Sequence, residues 1–274
     1  MPLAPPDISF LKSLIEEKSG NIISNNQDYL LESRLAPVAR DIGLNDIEGL
    51  VAELRRRPSG LLHDRVAEAM TINETSFFRD MLPFEALRSE VLPRLIRQRS
   101  VSRKLNLWSG ASSSGQEAYS LAISIREHFN ELASWDIRIQ ATDLSEQMVQ
   151  RTREGIYSQF EVNRGLPSHY LLKYFKRNGT QWQVKENLRE MVDARKMNLA
   201  SAWPSTVQFD VIFLRNVLIY FDQKSKERIL TRIHRALRPD GYLFLGGGET
   251  LITLNIPFVR ESVGKTVCFR PVTA

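Results

Sequence analysis

A loop of small polar residues, Ser109–Gly115, lies between the apolar segment Leu105–Trp108 and a helical pattern that opens with Gln116-Glu117. Small residues let backbone N–H groups approach a ligand closely, so this arrangement predicts a nucleotide-type site. The loop does not fit the G-x-G-x-x-G pattern of dinucleotide-binding proteins, and a carboxylate at Glu117 would repel a pyrophosphate. The same carboxylate would tolerate, or bond to, the ammonium and sulfonium groups of S-adenosylmethionine. The loop therefore favours S-adenosylmethionine over NAD, with a plain strand–helix turn as the alternative.

Further polar residues follow the ends of two other apolar segments, Ile137–Ala141 and Phe209–Leu214. Asp143 comes after the first, where parallel α/β sheets place an acid on a ribose diol, although aspartate is also a common helix N-cap. The second segment is followed by Arg215, Asn216 and Tyr220. Because ligands bind at the carboxyl ends of the strands in such sheets, these residues are candidates for the same site.

The residues after Phe209–Leu214 also discriminate among methyl-transfer chemistries. Enzymes that methylate the amino group of adenine or the amide of glutamine carry a proline-containing N-P-P-Y-like turn here, whereas this chain reads Arg215-Asn216-Val217-Leu218. Cytosine C5 methylation needs a thiol nucleophile in a loop, and Cys268 lies in the last predicted strand. Both chemistries are disfavoured.

A segment of polar and aromatic residues, Asn73–Arg79, stands at the junction between a helical part of the chain and an α/β part. The adjacent aromatic residues Phe77 and Phe78, beside the cationic Arg79, predict a segment that packs over a pocket. A hydrophobic plug with a surface arginine is the alternative interpretation.

Two kinds of periodicity determine the expected fold. Apolar residues recur at helical spacing between residues 7 and 70, which predicts a small helical domain. From Lys104 onward strands alternate with helices, which predicts a doubly wound parallel sheet with helices on both faces. The tail, Phe258–Ser262 and Thr266–Pro271, is expected to form an antiparallel hairpin, which is typical of class I methyltransferases.

These patterns give an expected domain organisation. Residues 1–80 would form the helical domain, 81–103 a linker and 104–274 the methyltransferase domain. Residues 155–199 interrupt the alternation and are expected to form an inserted antiparallel β-subdomain between the second and third core strands.

The composition excludes several classes of site. A single cysteine excludes internal disulfides and multi-cysteine metal sites, and four scattered histidines give no metal-ligand spacing, so no metal is expected. No apolar run approaches the roughly 20 residues of a membrane span, and Met1–Leu14 lacks a signal-peptide pattern, so a cytoplasmic protein is expected. The formal net charge of +5 would suit an acidic protein partner and a nucleic acid equally.

Assembled in order, these segments resemble the CheR family, the chemotaxis-receptor glutamate O-methyltransferases, over nearly the whole chain. The resemblance rests on Asn73–Arg79, Trp108–Ser120, Asp143, Gly155-Ile156-Tyr157, Asn198-Leu199, Arg215–Phe221 and Leu237–Gly241. Two segments depart from the family pattern, Gln116-Glu117-Ala118 in place of two acids and a proline, and Gly246–Glu249 in place of a variable Gly/His/Ser/Glu segment. Neither departure is expected to affect a predicted site position.

The resemblance implies roles for the residues in the first half of the site. Asn73, Thr75 and Arg79 would contact the cofactor, with Arg79 near its methionine carboxylate and the reacting centre. Glu117 and Asp143 would hold polar parts of the cofactor, Asp143 in the adenosine region.

The resemblance implies a second group of roles farther along the chain. Asn198 and Leu199 would frame the adenine. Arg215 and Asn216 would close the pocket, and Tyr220 would line the methyl-acceptor side.

By the same resemblance, the reaction would transfer a methyl group from S-adenosylmethionine to receptor glutamates, giving methyl esters and S-adenosylhomocysteine. A glutamate with an ordinary pKa of about 4.3 is already an anion at neutral pH, so no general base is required. The motifs contain no histidine that could act as one. Arg79 and Tyr220 are therefore expected to position the acceptor carboxylate as charge and hydrogen-bond partners.

The expected partner is the cytoplasmic helical bundle of chemoreceptors, which has acidic faces. Arg34 and Arg40, with Arg55–Arg57, could guide such a bundle toward the pocket. The turn Arg177–Thr180 is short, so binding of a receptor's C-terminal pentapeptide at the β-subdomain is not expected. A monomer without nucleic-acid binding or membrane insertion is expected. A nucleic-acid or small-molecule methyltransferase and a non-catalytic regulator are the alternatives.

Overall fold

The computed structural model describes residues 3–203, 207–252 and 254–272. Its first part consists of four helices: α1 (Pro5–Ser19), α2 (Asp28–Asp41), α3 (Ile47–Arg56) and α4 (Leu61–Ala69). Apolar residues that recur at helical spacing, among them Leu11, Ile15, Leu35 and Leu50, are fully buried between these helices. They form a core of their own, as the periodicity predicts.

The segment 81–103, expected as a linker, is mostly helical and belongs to the core of the second part. It contains α5 (Leu82–Ala86), a π-helical turn and α6 (Leu92–Gln98). Phe84, Leu87 and Leu95 are buried in the cluster that underlies the sheet. The π-helical turn lies just before Pro93, whose missing N–H removes one bond of a regular α-helix.

The second part is built on a seven-stranded sheet with the order β6-β2-β1-β7-β8-β10-β9. Its strands are β1 (Lys104–Gly110), β2 (Asp136–Asp143), β6 (Val192–Lys196), β7 (Phe209–Leu214), β8 (Leu237–Leu245), β9 (Phe258–Val263) and β10 (Thr266–Pro271). The first five strands of this order run parallel, while β10 pairs antiparallel with both β8 and β9. The predicted doubly wound sheet with a terminal antiparallel hairpin is confirmed.

Helices follow the central strands in the manner of α/β folds. Three further helices pack on the main sheet: α7 (Gln116–His128) follows β1, α8 (Glu146–Glu154) follows β2, and α12 (Gln223–Ala236) lies between β7 and β8 in the chain. Since β1 lies between β2 and β7, strand order reverses at β1. Such a reversal opens a crevice at the carboxyl ends of the strands, which is where ligands bind in this class of fold.

The insertion contains a separate small sheet, whose strands cover a shorter part of the chain than the expected 155–199. Its strands, in the order β3-β5-β4, are β3 (Ile156–Tyr157), β4 (Phe175–Asn178) and β5 (Gln181–Val184), accompanied by α9 (Gln159–Asn163), α10 (Ser168–Tyr174) and α11 (Glu186–Arg189). The last strand within residues 155–199, β6, does not join this small sheet but pairs in parallel with β2 at the edge of the main sheet. In the part of the chain that the structure describes, no helix is long and apolar enough to cross a membrane.

Candidate active site

A single cavity lies where the helical part meets the carboxyl ends of β1, β2 and β7. It measures about 880 Å³, including the solvent at its mouth. All ten residues that the sequence assigns to the site line it: Asn73, Thr75, Arg79, Glu117, Asp143, Asn198, Leu199, Arg215, Asn216 and Tyr220. The geometry brings these positions together from five separate stretches of the chain.

The loop after β1 has the compact conformation that its small residues allow. Ala111 and Ser113 adopt positive φ angles of 53° and 50°, and Gly115 one of 92°. A Cβ at Gly115 would lie 2.7 Å from Thr152 Cγ2, so glycine is required there by both conformation and space.

Asp143 organises this loop from the end of β2. Its Oδ2 accepts the N–H of Ser113 at 2.8 Å and its Oδ1 accepts the N–H of Ser145 at 2.9 Å. Burial raises the pKa of the Asp143 carboxyl, and the two backbone donors counter that shift. The N-cap of α8 is Ser145, which accepts from the N–H of Met148, so Asp143 is left facing the cavity.

Glu117 and Arg215 form an ion pair in the cavity wall. Glu117 Oε1 accepts from Ser109 Oγ at 2.7 Å, and Oε2 accepts from Arg215 Nη1 at 3.1 Å. Nη2 of Arg215 donates to the carbonyl of Arg79 at 2.9 Å and to Asp80 Oδ2 at 2.8 Å. Arg215, only 1% exposed as a side chain, therefore ties together the start of α7, the end of β7 and the junction segment.

The junction segment is fixed by its aromatic residues. Phe77 packs edge-on against Tyr157 and Phe175 of the small sheet, and the N–H of Phe78 donates to Ser120 Oγ at 2.9 Å. The alternative interpretation, a hydrophobic plug, thus describes the two phenylalanines, which are buried. Arg79, the next residue, lines the cavity, and its Nη1 donates to the Glu74 carbonyl at 3.2 Å.

The helical part closes the cavity through main-chain contacts. Asn198 Nδ2 donates to the Lys18 carbonyl at 2.6 Å, and the N–H of Ile22 donates to the Tyr220 carbonyl at 3.0 Å. Between them, Gly20 has φ 74°, and a Cβ there would lie 2.8 Å from the ring of Phe221. Ser19 and Asn21, on either side of Gly20, line the cavity, and the sequence analysis did not include them in the site.

Two more residues of this site, Asp80 and Glu249, were not found from sequence, nor was the bond that Ser113 of the predicted loop makes. Asp80 pairs with Arg215, and Ser113 Oγ donates to the Asn73 carbonyl at 2.8 Å. Glu249, in the segment expected to leave the site unaffected, accepts the N–H of Asn216 at 2.9 Å, which corrects that expectation. No short motif announces these contacts, because each joins residues that are far apart in the chain.

The surroundings of Tyr220 make it a hydrogen-bond donor at neutral pH. Burial raises the pKa of its hydroxyl, and the positive charge of Arg79 partly opposes that shift. Of the described residues that line the cavity, none is a histidine, lysine or cysteine. The charged groups present are two arginines and three acids, Arg79, Arg215, Glu74, Glu117 and Asp143.

The surface arginines singled out from sequence are largely neutralised. Arg55 pairs with Asp7 at 2.9 Å, and Arg56 and Arg57 both pair with Glu53. With two acids against three arginines the cluster keeps one net positive charge, so it offers less net charge to a partner than its sequence indicates.

The donor set of the cavity fits S-adenosylmethionine. Carboxylates can face a sulfonium, an ammonium and ribose hydroxyls, and the apolar side chains of Leu199 and Val217 suit a flat ring. The Nε of Arg215 is buried and has no partner among the described residues, which leaves a donor in the wall that a ligand or water can satisfy.

Comparisons with known proteins agree with this geometry. The model of the CheR methyltransferase all-alpha domain matches residues 6–71, and that of the CheR methyltransferase SAM-binding domain matches residues 73–267. The chemotaxis protein methyltransferase Cher2 of Pseudomonas putida is 39% identical over 250 residues, covering 89% of this chain and 90% of the relative.

Two further relatives are also similar over most of the chain. Chemotaxis protein methyltransferase 1 of Pseudomonas aeruginosa is 39% identical over 259 residues, covering 93% of each chain. The chemotaxis protein methyltransferase of Vibrio parahaemolyticus is 34% identical over 247 residues, covering 89% of each chain. The chain therefore belongs to the CheR methyltransferase family and is an S-adenosylmethionine-dependent methyltransferase.

Proposed function

We propose that the protein methylates glutamate side-chain carboxylates on chemotaxis receptors, giving glutamate methyl esters and S-adenosylhomocysteine. The relatives are chemotaxis protein methyltransferases by name. The observation that carries the proposal is the lining of the cavity, which presents the arginine Arg79 and the protonated tyrosine Tyr220 at its acceptor side. The described lining contains no group suited to remove a proton.

An anionic acceptor matches this cavity better than an amine or hydroxyl acceptor does. A glutamate is ionised at neutral pH, with a pKa of about 4.3 in the absence of perturbation. The three acids of the wall are already engaged, since Asp143 accepts two backbone N–H groups and Glu117 pairs with Arg215. Glu74 pairs with Arg164, which lowers its pKa. None of them is poised to act as a general base.

Arg79 and Tyr220 hold the acceptor carboxylate in this proposal. Both residues line the same cavity, and the charge of Arg79 acts on the pKa of Tyr220, which supports a joint role for the two groups toward one bound anion. When bound, S-adenosylmethionine supplies an electrophilic methyl group on its sulfonium. The protein then has to align the reacting atoms, for which orientation can contribute about 7–11 kcal/mol, and to exclude water.

The remaining residues of the site bind the cofactor in this proposal. Asn73 and Thr75 would contact it from the junction, and Asp143 would hold its adenosine part. Asn198 and Leu199 would frame the adenine at the end next to the helical part. Their shared support is that all five line the cavity.

Arg215 and Asn216 act mainly by shaping the cavity. Arg215 is occupied by Glu117, Asp80 and the Arg79 carbonyl, so the N–H of its Nε and one N–H of its Nη1 remain for a ligand. Asn216 stands in the turn after β7 and lines the same wall.

The proposed partner is the acidic helical bundle of a chemoreceptor, met by the protein as a monomer in the cytoplasm. Because Arg55–Arg57 are largely neutralised locally, Arg34 and Arg40 are the better candidates for guiding it. If guidance is electrostatic, raising the salt concentration weakens receptor methylation more than cofactor binding. Equal sensitivity of the two would contradict it.

We further propose that a receptor's C-terminal pentapeptide is not bound. The turn between β4 and β5 is only Gly179-Thr180. Calorimetry with such a peptide should give no heat of binding, and micromolar affinity would refute the proposal.

Tritiated methyl transfer tests the function. Base-labile counts on a receptor band mean ester formation, whereas counts on nucleic acid or on small molecules would establish the alternative activities. Arg79→Ala and Tyr220→Phe should lower the single-turnover rate. The matched controls are Arg138→Ala and Tyr29→Phe, at exposed positions outside the cavity. Near-normal rates in both site variants would make the positioning roles wrong.

A further inference from the structure

One carboxylate holds the turn that follows β7. Glu249 Oε1 accepts the N–H groups of Val217 at 2.9 Å and Leu218 at 2.7 Å. Its Oε2 accepts those of Asn216 at 2.9 Å and Gly246 at 2.7 Å. Three successive N–H groups of the turn and one from the end of β8 therefore converge on a single side chain.

This convergence explains how the turn keeps a costly backbone conformation. Asn216 has φ 58°, in the left-handed region that residues other than glycine rarely adopt. Without Glu249, the three N–H groups of the turn would lose a charged acceptor, and such bonds are stronger than neutral ones. The four bonds thus over-determine a conformation that the chain would not adopt by itself.

The opposite side of the turn is fixed by close packing. A Cβ at Gly246 would lie 2.8 Å from the backbone N of Asn216, from its Nδ2 and from Glu249 Oε2. Real Cβ contacts are not that short, so any other residue here must displace the turn or the carboxylate. Gly246 and Glu249 therefore both constrain the position of the Asn216 backbone.

The turn carries two of the residues assigned to the site. Asn216 and Val217 line the cavity, and the 3₁₀ turn Leu218–Tyr220 that follows brings in Tyr220. We propose that Glu249 is a positioning residue for methyl transfer, because its carboxylate fixes the turn that presents Asn216 to the cofactor side and Tyr220 to the acceptor side. This inference rests on the proposed function for its acceptor, and it assigns Glu249 no contact with substrate or cofactor.

Two substitutions disturb the clamp from different sides. Glu249→Gln keeps the size of the side chain but turns an NH₂ group toward backbone N–H donors, where an acceptor is needed. Gly246→Ala leaves the carboxylate in place and crowds the turn. Glu249→Asp keeps the charge but shortens the side chain by one methylene, so it should restore part of what Glu249→Gln loses.

A double-mutant cycle with Tyr220→Phe separates positioning from a general structural role. With a receptor cytoplasmic fragment and saturating S-adenosylmethionine, Glu249→Gln should lower kcat by about tenfold or more in the wild-type background, and by less than about threefold beside Tyr220→Phe. The control is Glu261→Gln in the C-terminal hairpin, whose partners are Arg94 and Arg270, and it should leave kcat unchanged. Thermal melts establish that each variant is folded.

Affinity for S-adenosylhomocysteine, measured by calorimetry, is a second readout that does not depend on the acceptor. Glu249→Gln and Gly246→Ala should each weaken it about threefold to tenfold because both displace Asn216. If both variants keep wild-type kcat and affinity, or if Glu249→Gln lowers kcat equally in the two backgrounds, the positioning role is overturned. Absence of methyl transfer by the wild type to any receptor fragment would defeat the proposed function instead, and the affinity measurement would still decide the role of Glu249.

Discussion

The two ends of β7 carry arginine networks of similar composition, but the backbone around them differs in strain. At the amino end, Arg99 Nε donates to Asp210 at 2.8 Å, and its other nitrogens reach both oxygens of Asp240 at 2.6 and 2.8 Å. The second oxygen of Asp210 accepts the N–H of Asn106 at 2.8 Å. At the carboxyl end, Arg215 has its Nε buried without a partner among the described residues.

The backbone conformation differs between the two ends of β7. Six residues other than glycine have positive φ in the described chain, and five of them flank the cavity: Phe78, Asp80, Ala111, Ser113 and Asn216. Only Arg103 lies on the side of Arg99, just before β1. Strained backbone thus accumulates at the end of the strand that borders the cavity. Buried Nε atoms without a hydrogen-bond partner among the described residues occur at both ends, in Arg215 at the carboxyl end and in Arg238 at the amino end.

The largest expected effect is on stability, at the amino end. Arg99→Ala leaves Asp210, which is 1% exposed, with the N–H of Asn106 and, as its only cationic partner, Arg238 at the longer distance of 3.3 Å. Breaking a buried pair in this way costs about 3–5 kcal/mol of unfolding free energy, measurable by urea denaturation. The kcat of the folded fraction should be unchanged, and a catalytic defect without a stability loss would contradict the contrast.

At the carboxyl end the main loss should be in activity. Arg215→Ala releases Glu117 and the junction carbonyl of Arg79, so the cavity wall loses its brace. We expect kcat/KM to fall by about a hundredfold, or about 2.7 kcal/mol of transition-state stabilisation. The unfolding free energy should fall less than in Arg99→Ala because solvent in the cavity can hydrate Glu117. The reverse order of stability losses would remove the distinction.

A smaller effect isolates the strained backbone from its side chain. Asn216→Gly retains access to the left-handed conformation, so stability should change by less than about 0.5 kcal/mol while affinity for S-adenosylhomocysteine falls. Asn216→Ala removes the same polar group and should cost about 1 kcal/mol more in unfolding free energy. Equal stability of the two variants would mean that φ 58° carries no strain here.

The smallest effect is a difference in the sign of pH dependence. The hydrogen bond from Arg99 lowers the pKa of Asp240, so its stabilising contribution is present above the unfolded value of about 3.9 and is lost as pH falls through the folded pKa. Burial raises the pKa of Asp143, so its contribution is present below about 3.9 and is lost as pH rises through the folded pKa.

Urea unfolding across acid and neutral pH checks these signs. The stability advantage of wild type over Asp240→Asn should grow with rising pH, and that over Asp143→Asn should shrink. Parallel trends in the two variants would show that the ends of the sheet do not differ in this respect.

Most of the fold follows from local patterns, whereas some boundaries do not. The continuous apolar run Phe209–Leu214 is a strand buried on both faces, and the structure places it in the middle of the sheet. In contrast, β6 has mostly exposed or half-buried residues, which gives it the pattern of a peripheral antiparallel strand. The segment 81–103 contains Pro83 and Pro93, which indicate breaks, but both lie in first turns of helices, where proline is tolerated.

Residues that line the site could be predicted from sequence, but the hydrogen bonds and ion pairs that they make could not. Residues such as Asp143 and Arg215 follow strands directly, so strand order alone brings them to one edge. Their partners depend on packing across the fold. Asp80 lies 135 residues before Arg215, and Glu249 lies 33 residues after Asn216, so no local spacing relates them.

The helical part contacts the cavity wall through groups of its main chain. The carbonyl of Lys18 accepts from Asn198, and the N–H of Ile22 donates to the carbonyl of Tyr220. Every amino acid carries a main-chain carbonyl and every one except proline an N–H, so these contacts between the two parts tolerate changes of side chain at Lys18 and, except for proline, at Ile22, provided that the turn at Gly20 is kept. Selection for a new receptor can therefore alter the outward face of the helices without disturbing the reaction chamber beneath them.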